Sequence, residues 1–240
     1  MSKSAGKSNS DLLLRVAAAA VLAPVALFAA WLGGWVFAVF VAVMGFIMAR
    51  EWAAMVGAGA LDGNQKTKWV LIGIPYIILP LFSLIALRFD VAYGLTAVVL
   101  LFACVWSADS LAYFAGRTFG GPKLMPSVSP NKTWSGFFGA VIGGLIAAVL
   151  VFYFAGLNNL VVAAALGAAI GGLEQGGDLF ESAAKRKFGV KDSGSIIPGH
   201  GGVLDRVDGL MAAGVAAWLF GTFRAGSWEN AAAGLLSWPG

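Results

Sequence analysis

The chain has one cysteine and one histidine in 240 residues. A single thiol excludes an intramolecular disulfide framework and leaves the redox compartment unread. One histidine with no cysteine near it excludes a zinc site of the usual N/S type. Charge is scarce as well: 12% of residues are charged, against about 25% in soluble globular domains. No GxxxxGK[ST] run is present, so a Walker-type phosphate loop is excluded. No internal repeat relates the two halves, which argues against the inverted-repeat architecture of many transporters.

What is there is apolar length. Hydrophobic residues make up 59% of the chain. Seven long apolar stretches are legible, at roughly 15–32, 33–49, 69–87, 91–108, 136–156, 160–177 and 207–223. Crossing the hydrocarbon takes about 20 apolar residues, in a range of about 17–25. A soluble domain with helices this apolar all round would need a larger core than this chain can build. The first stretch follows a short basic tail and is rich in Ala, like a secretory leader, but its length, Trp31 and the second run directly behind it favour a span. The expected fold is an all-α polytopic membrane protein of about seven to nine transmembrane helices, with a polar site at the cytoplasmic membrane boundary. The segment from Asp109 to Phe119 is the place where a further element would hide. The expected organisation is a basic cytoplasmic tail at 1–14, N-terminal membrane helices at 15–104 and a C-terminal membrane region carrying the chemistry at 105–240.

Seven spans with a cytoplasmic N-terminus put 14 of the 16 basic residues inside, only Arg88 and Arg224 falling outside. That bias is the positive-inside pattern. It accounts for the signs of the loops but not for the acids among them. The 50–68 connection reads as an ordinary solvated loop.

Three polar segments stand out. In "WSADSLAYFAGRTFGG", Asp109 follows an apolar span without a break, where an acid is costly, and Tyr113 and Arg117 lie one helical turn apart. "SPNKTWSG" gives a Pro-fixed turn with Ser129, Asn131 and Lys132, and Thr133 or Ser135 is placed to cap the next helix. A helix start beside Lys132 suits phosphate; the plain reading is a capped helix after a loop. In "GLEQGGDLFESAAKRKFGVKD", Glu174, Asp178, Glu181 and Lys185 share one helical stripe. Glu181–Lys185 fits a surface ion pair, whereas Glu174 and Asp178 end a Gly-rich span whose Gly167, Gly171, Gly172 and Gly176 allow close helix approach.

Asp205 and Asp208 are also one turn apart and open the last span. Carboxylates converging from two helix ends suit a hard divalent cation, and Mg2+ takes one or two of them plus substrate phosphate oxygens. Lys185, Arg186, Lys191 and Arg206 suit a polyanion. His200 sits among Gly199, Gly201 and Gly202, either as a turn histidine satisfied by backbone or as a group that handles phosphate or a proton.

With these residues together, the segment "SAAKRKFGVKDSGSIIPGHGGVLDRVD", Ser182 to Asp208, resembles the signature of the phosphatidate cytidylyltransferase (CDP-diacylglycerol synthase) family. Every spacing agrees, and Ala184 stands where the family usually has a bulkier aliphatic residue. "GDLFES", "SPNKTWSG" and "DSLAYFAGRTFG" also resemble family segments, so the likeness covers about 105–210. It implies transfer of a cytidylyl group from CTP to phosphatidate for phospholipid biosynthesis. It also implies dependence on Mg2+, room for a second, monovalent cation such as K+, a homodimer among membrane lipids and no nucleic-acid partner. Localisation would be the inner or plasma membrane, with the active site facing the cytoplasm. By position Asp178, Asp205 and Asp208 match the metal-binding acids. Lys185, Arg186, Lys191, Asp192, His200 and Arg206 complete the expected catalytic set. Asp109, Arg117, Ser129, Asn131, Lys132, Glu181 and Ser182 are expected around the substrates. The main rival from another class is an ion- or proton-coupled transporter using Asp109, Glu174 and Asp178. A CDP-alcohol phosphotransferase would need a differently spaced acidic motif, which is absent.

Overall fold

A computed structural model describes residues 20–197 and 201–239. Within them the regular elements are helices apart from one small hairpin. Helix α1 covers Ala20–Leu32. It is followed by α2 (Gly34–Ala58), α3 (Gly63–Phe89) and α4 (Gly94–Phe119), then by β1 (Lys123–Met125) and β2 (Ser129–Thr133). The chain continues through α5 (Trp134–Phe154), α6 (Leu160–Phe188), α7 (Leu204–Ala225) and the short α8 (Ala231–Leu236). Helices α2 to α6 are five helices long and apolar enough to cross a membrane, and the chain is a polytopic membrane protein. Large apolar side chains such as Trp35, Val161 and Phe223 stand on the outside, where lipid rather than water is the expected neighbour.

Each of the seven apolar stretches falls within or across one of α1 to α7, but the helices overrun them. Helix α2 continues through Ala58 and α3 starts at Gly63, so most of the expected 50–68 loop is helix. Its residues Trp52, Met55 and Val56 are apolar and buried. Helix α4 is continuous to Phe119, so no separate element hides at 109–119. The overruns of α2, α4 and α6 all fall at the C-terminal ends, and α3 answers them at its N-terminal end. All four point to the same end of the bundle.

The helix boundaries follow from local chemistry. Asp62 caps α3 by accepting the Gln65 N–H at 2.8 Å, and Asn159 caps α6 through Val162 N–H at 3.1 Å. Thr133, rather than Ser135, caps α5 through Gly136 N–H at 3.1 Å. Gly189, at φ 71, closes α6 in the left-handed region, where a residue without Cβ is favoured. The "SPNKT" segment is not a free turn. It pairs antiparallel with β1 in the register Lys123↔Thr133 and Met125↔Ser129.

Small residues set how closely the helices approach. A Cβ on Gly139 would lie 2.6 Å from the Leu111 carbonyl oxygen, and one on Gly143 2.5 Å from that of Ser107. These positions let α5 press onto α4. Gly144, Gly167 and Gly171 do the same between α5 and α6, whereas Gly176 faces open space. Between α6 and α7, a Cβ on Gly177 would run into the Asp208 carbonyl, and one on Gly209 would come within 3.0 Å of Glu174 Oε1. That close approach draws the acid stripe of α6 against the first turns of α7. An apolar cluster of Met48, Trp52, Met55, Phe188, Leu204 and Met211 packs α2, α6 and α7 together at the same end.

Candidate active site

The polar residues converge where α6 meets α7, β2 and α2. Lys132 reaches from β2 to α6: its Nζ lies 2.6 Å from Asp178 Oδ2 and donates to Gln175 Oε1 at 2.9 Å. Gln175 in turn donates to Glu174 Oε2 at 2.8 Å, and Glu174 is 1% exposed. The Asp109 side chain on α4 lies close to that of Glu174. Ser182 donates to Asp178 Oδ1 at 3.1 Å. A lysine on the hairpin and acids on α6 and α4 thus lie together between α4 and β2.

A second group lies one to two turns along. Lys185 Nζ sits 2.5 Å from Glu181 Oε2 and 2.6 Å from Asp205 Oδ1. The Glu181 and Lys185 side chains are 0% and 13% exposed, so this is a buried ion pair and not the surface pair expected from spacing. Asp205 Oδ2 accepts from Ser193 N, Ser193 Oγ and Gly202 N, each at 2.8 Å. Burial alone would push the Asp205 carboxyl up. The hydrogen bonds from Lys185, Gly202 and Ser193 outweigh it and hold the group below the usual carboxylate range.

Asp208 lies between the two groups. It is half-buried, its carbonyl packs against Gly177 beside Asp178, its carboxyl is near enough to Asp178, Glu181 and Asp109 to feel their charge, and one oxygen accepts from Gly209 N at 2.8 Å. This concentration of acids repels itself in the absence of a cation. Even so, among the described residues no three His, Cys, Asp or Glu side chains form a ready-made metal cage.

Arg186, Lys191, Asp192 and Arg206 are exposed around this centre, and Arg186 Nε donates to the Val128 carbonyl beside the hairpin at 3.4 Å. Asn131 is exposed and Ser129 half-buried on β2. Arg117 is turned to its own helix, donating to Tyr113 Oη at 2.7 Å, and makes no ion pair among the described residues. His200 lies outside the described residues.

Two contributors come from the N-terminal helices, which sequence reasoning left without chemistry. The Tyr76 hydroxyl on α3 is buried without a hydrogen-bond partner among the described residues. Asp208, Glu181, Asp178 and Asp205 all act on it. Glu51 on α2 is 4% exposed and accepts from Val203 N and Leu204 N, both at 2.9 Å. One signal for Glu51 was available. It falls three residues after Met48 and four before Met55, on the stripe that α2 buries.

Fold and site together define a multi-pass membrane protein with an acid-and-lysine centre suited to phosphate chemistry. Residues 60–223 match the Cytidylyltransferase family, and the chain belongs to that family. It is 39% identical to a phosphatidate cytidylyltransferase of Brucella abortus, over 88% of this chain and 94% of the relative. It is 36% identical to the phosphatidate cytidylyltransferase of Rickettsia conorii, over 85% of this chain and 89% of the relative. A phosphatidate cytidylyltransferase of Haemophilus influenzae is 46% identical over 52% of this chain and 45% of the relative.

Proposed function

We propose that this chain transfers the cytidylyl group of CTP to phosphatidate, releasing pyrophosphate and forming CDP-diacylglycerol. The observation that carries the proposal is the close packing of α6 on α7 at Gly177 and Asp208, which sets the turn of Asp178 against that of Asp208, with Lys132 and Lys185 paired to Asp178 and Asp205, in a chain aligned over most of its length with relatives of that name. The comparisons give no support to a transporter.

The chemistry needs no protein nucleophile. A phosphatidate phosphate oxygen is already anionic at neutral pH and attacks the α-phosphorus of CTP in line. The new P–O bond forms as the bond to the β-phosphate oxygen breaks, and pyrophosphate departs. The protein's part is positioning and charge stabilisation. Asp178 and Asp208 would hold Mg2+, with triphosphate oxygens filling its other positions, which fits a site offering two carboxylates rather than a closed cage. When bound, the cation would neutralise charge building on the phosphates. Asp205 has its oxygens engaged by Lys185, Ser193 and Gly202, which supports a holding role for it. Lys185, Lys191, Arg186 and Arg206 surround the phosphates and stabilise the leaving pyrophosphate. Lys132 keeps the Asp178 carboxylate aimed, and Asn131 and Ser129 stand at the rim for substrate contacts. The basic bias of the loops supports a site open to the cytoplasm in a seven-span topology.

The test is turnover by the purified protein with phosphatidate, CTP labelled in the cytidine, and Mg2+. Label moving into the lipid phase, and staying in water when EDTA is added, is the expected result. Absence of transfer from folded protein across several detergents and added lipids would overturn the proposal.

A further inference from the structure

We infer that Glu51 is a positioning residue for this transfer, holding Ser193, Gly194, Gly202 and the first turn of α7 in the arrangement that receives the triphosphate. The inference rests on the cytidylyl-transfer reading above.

Helix α7 has no cap of its own: its N-cap residue is Val203, and no side chain from the adjoining sequence bonds to its free N–H groups. The first N–H groups of a helix carry partial positive charge and need acceptors. Glu51 supplies them from another helix, one carboxylate oxygen taking Val203 N–H and the other Leu204 N–H, both at 2.9 Å. It makes no ion pair with a Lys or Arg among the described residues. A buried carboxylate without a cation is costly, so the backbone of α7 is what balances its charge.

Two glycines, Gly194 and Gly202, lie against this carboxylate. A Cβ on Gly194 would lie 2.8 Å from Glu51 Oε1, and one on Gly202 2.7 Å from the same atom. Ser193 Oγ lies 3.4 Å from Glu51 Oε2 and 2.8 Å from Asp205 Oδ2. Ser193 therefore links the acid of α2 to Asp205, and Asp205 holds Lys185 at 2.6 Å. Loss of Glu51 frees the start of α7, and with it Asp205, Arg206 and Asp208, together with the loop bearing Lys191 and Asp192. All of these residues face the nucleotide in the proposed site, whereas the acyl chains lie among the helices.

The experiment is steady-state kinetics on Glu51→Gln and Ser193→Ala in the full-length protein, with Val56→Ala as a control. Val56 is buried on the same helix, 2% exposed, and has no polar role. Glu51→Gln puts an amide N–H against a backbone N–H. The expected result is a KM for CTP raised about tenfold, the scale of one lost hydrogen bond to a charged group, with the KM for phosphatidate unchanged. Ser193→Ala shifts CTP in the same direction and keeps the test open if Glu51→Gln fails to fold. Val56→Ala lowers thermal stability and leaves both KM values alone. Variants that lose only stability or active fraction, with the KM for CTP at the wild-type value, would reduce Glu51 to a structural cap and overturn the inference. If the wild type itself transfers no cytidylyl group, the function is what fails.

Discussion

Lys185→Met tests the buried charge arrangement most directly. Lys185 bridges Glu181 and Asp205 at 2.5 and 2.6 Å, with all three side chains at or below 13% exposure. Asp205 keeps three other donors after the substitution, from Ser193 and Gly202. Glu181 keeps none among the described residues. The cost therefore falls on one stranded, fully buried carboxylate, and breaking a buried pair this way costs about 3–5 kcal/mol. For a chain of this size that corresponds to a fall in melting temperature of about 6–20 °C. Glu181→Met combined with Lys185→Met removes the stranded charge, and replacing a buried pair by apolar residues of similar volume is often near neutral. The double variant is expected to regain most of the lost stability without regaining activity, because in the proposed function Lys185 also neutralises phosphate. Thermal unfolding in one detergent, followed by tryptophan fluorescence for wild type, both single variants and the double, reads the cycle. A Lys185→Met protein that melts with the wild type, or a double variant no better than the single, would refute this reasoning.

Two further variants separate function from stability. Asp208→Asn relieves repulsion with Asp178 and Glu181, so unfolding is expected at or above the wild-type temperature while turnover is mostly lost; near-wild-type turnover would remove Asp208 from the metal set. Tyr76→Phe deletes a buried hydroxyl with no partner among the described residues, a group that costs about 1–3 kcal/mol when unsatisfied. Stability is expected to hold or rise, and a fall in the turnover assay would assign that hydroxyl to a bound phosphate.

The helices were legible because the solvent they face is uniform. Where every outward position meets hydrocarbon, apolar length alone marks an element, and the seven stretches match α1 to α7. The overruns were not legible, since past Ala49 or Ala108 the chain turns mixed and its burial comes from tertiary partners. The stripe from Glu174 to Lys185 could be read because its partners share one helix. Its depth could not, because burial of Glu181 depends on α7. The hairpin escaped because Ser129-Pro130-Asn131 has turn chemistry, and only pairing with Lys123–Met125 makes it a strand. The burial of Glu51 could be read from its place on the stripe of Met48 and Met55, but its role could not, because its partners are backbone N–H groups, which leave no mark in a sequence.

The contact between Glu51 and α7 also bears on how the chain is made. Glu51 lies 152 residues ahead of Val203. At about 5–20 residues per second of synthesis, the acid is finished roughly 8–30 s before its acceptors' donors exist. During that interval no backbone of α7 balances the charge at the end of α2, which favours keeping that end in contact with water. The last turns of α2 meet α3 early, Trp52 donating to the Trp69 carbonyl at 2.9 Å, but their Glu51 face closes only when α7 arrives. The end of the molecule that carries the proposed chemistry is thus completed last, and a ribosome stalled before Val203 would leave membrane-inserted helices with an open, solvated face.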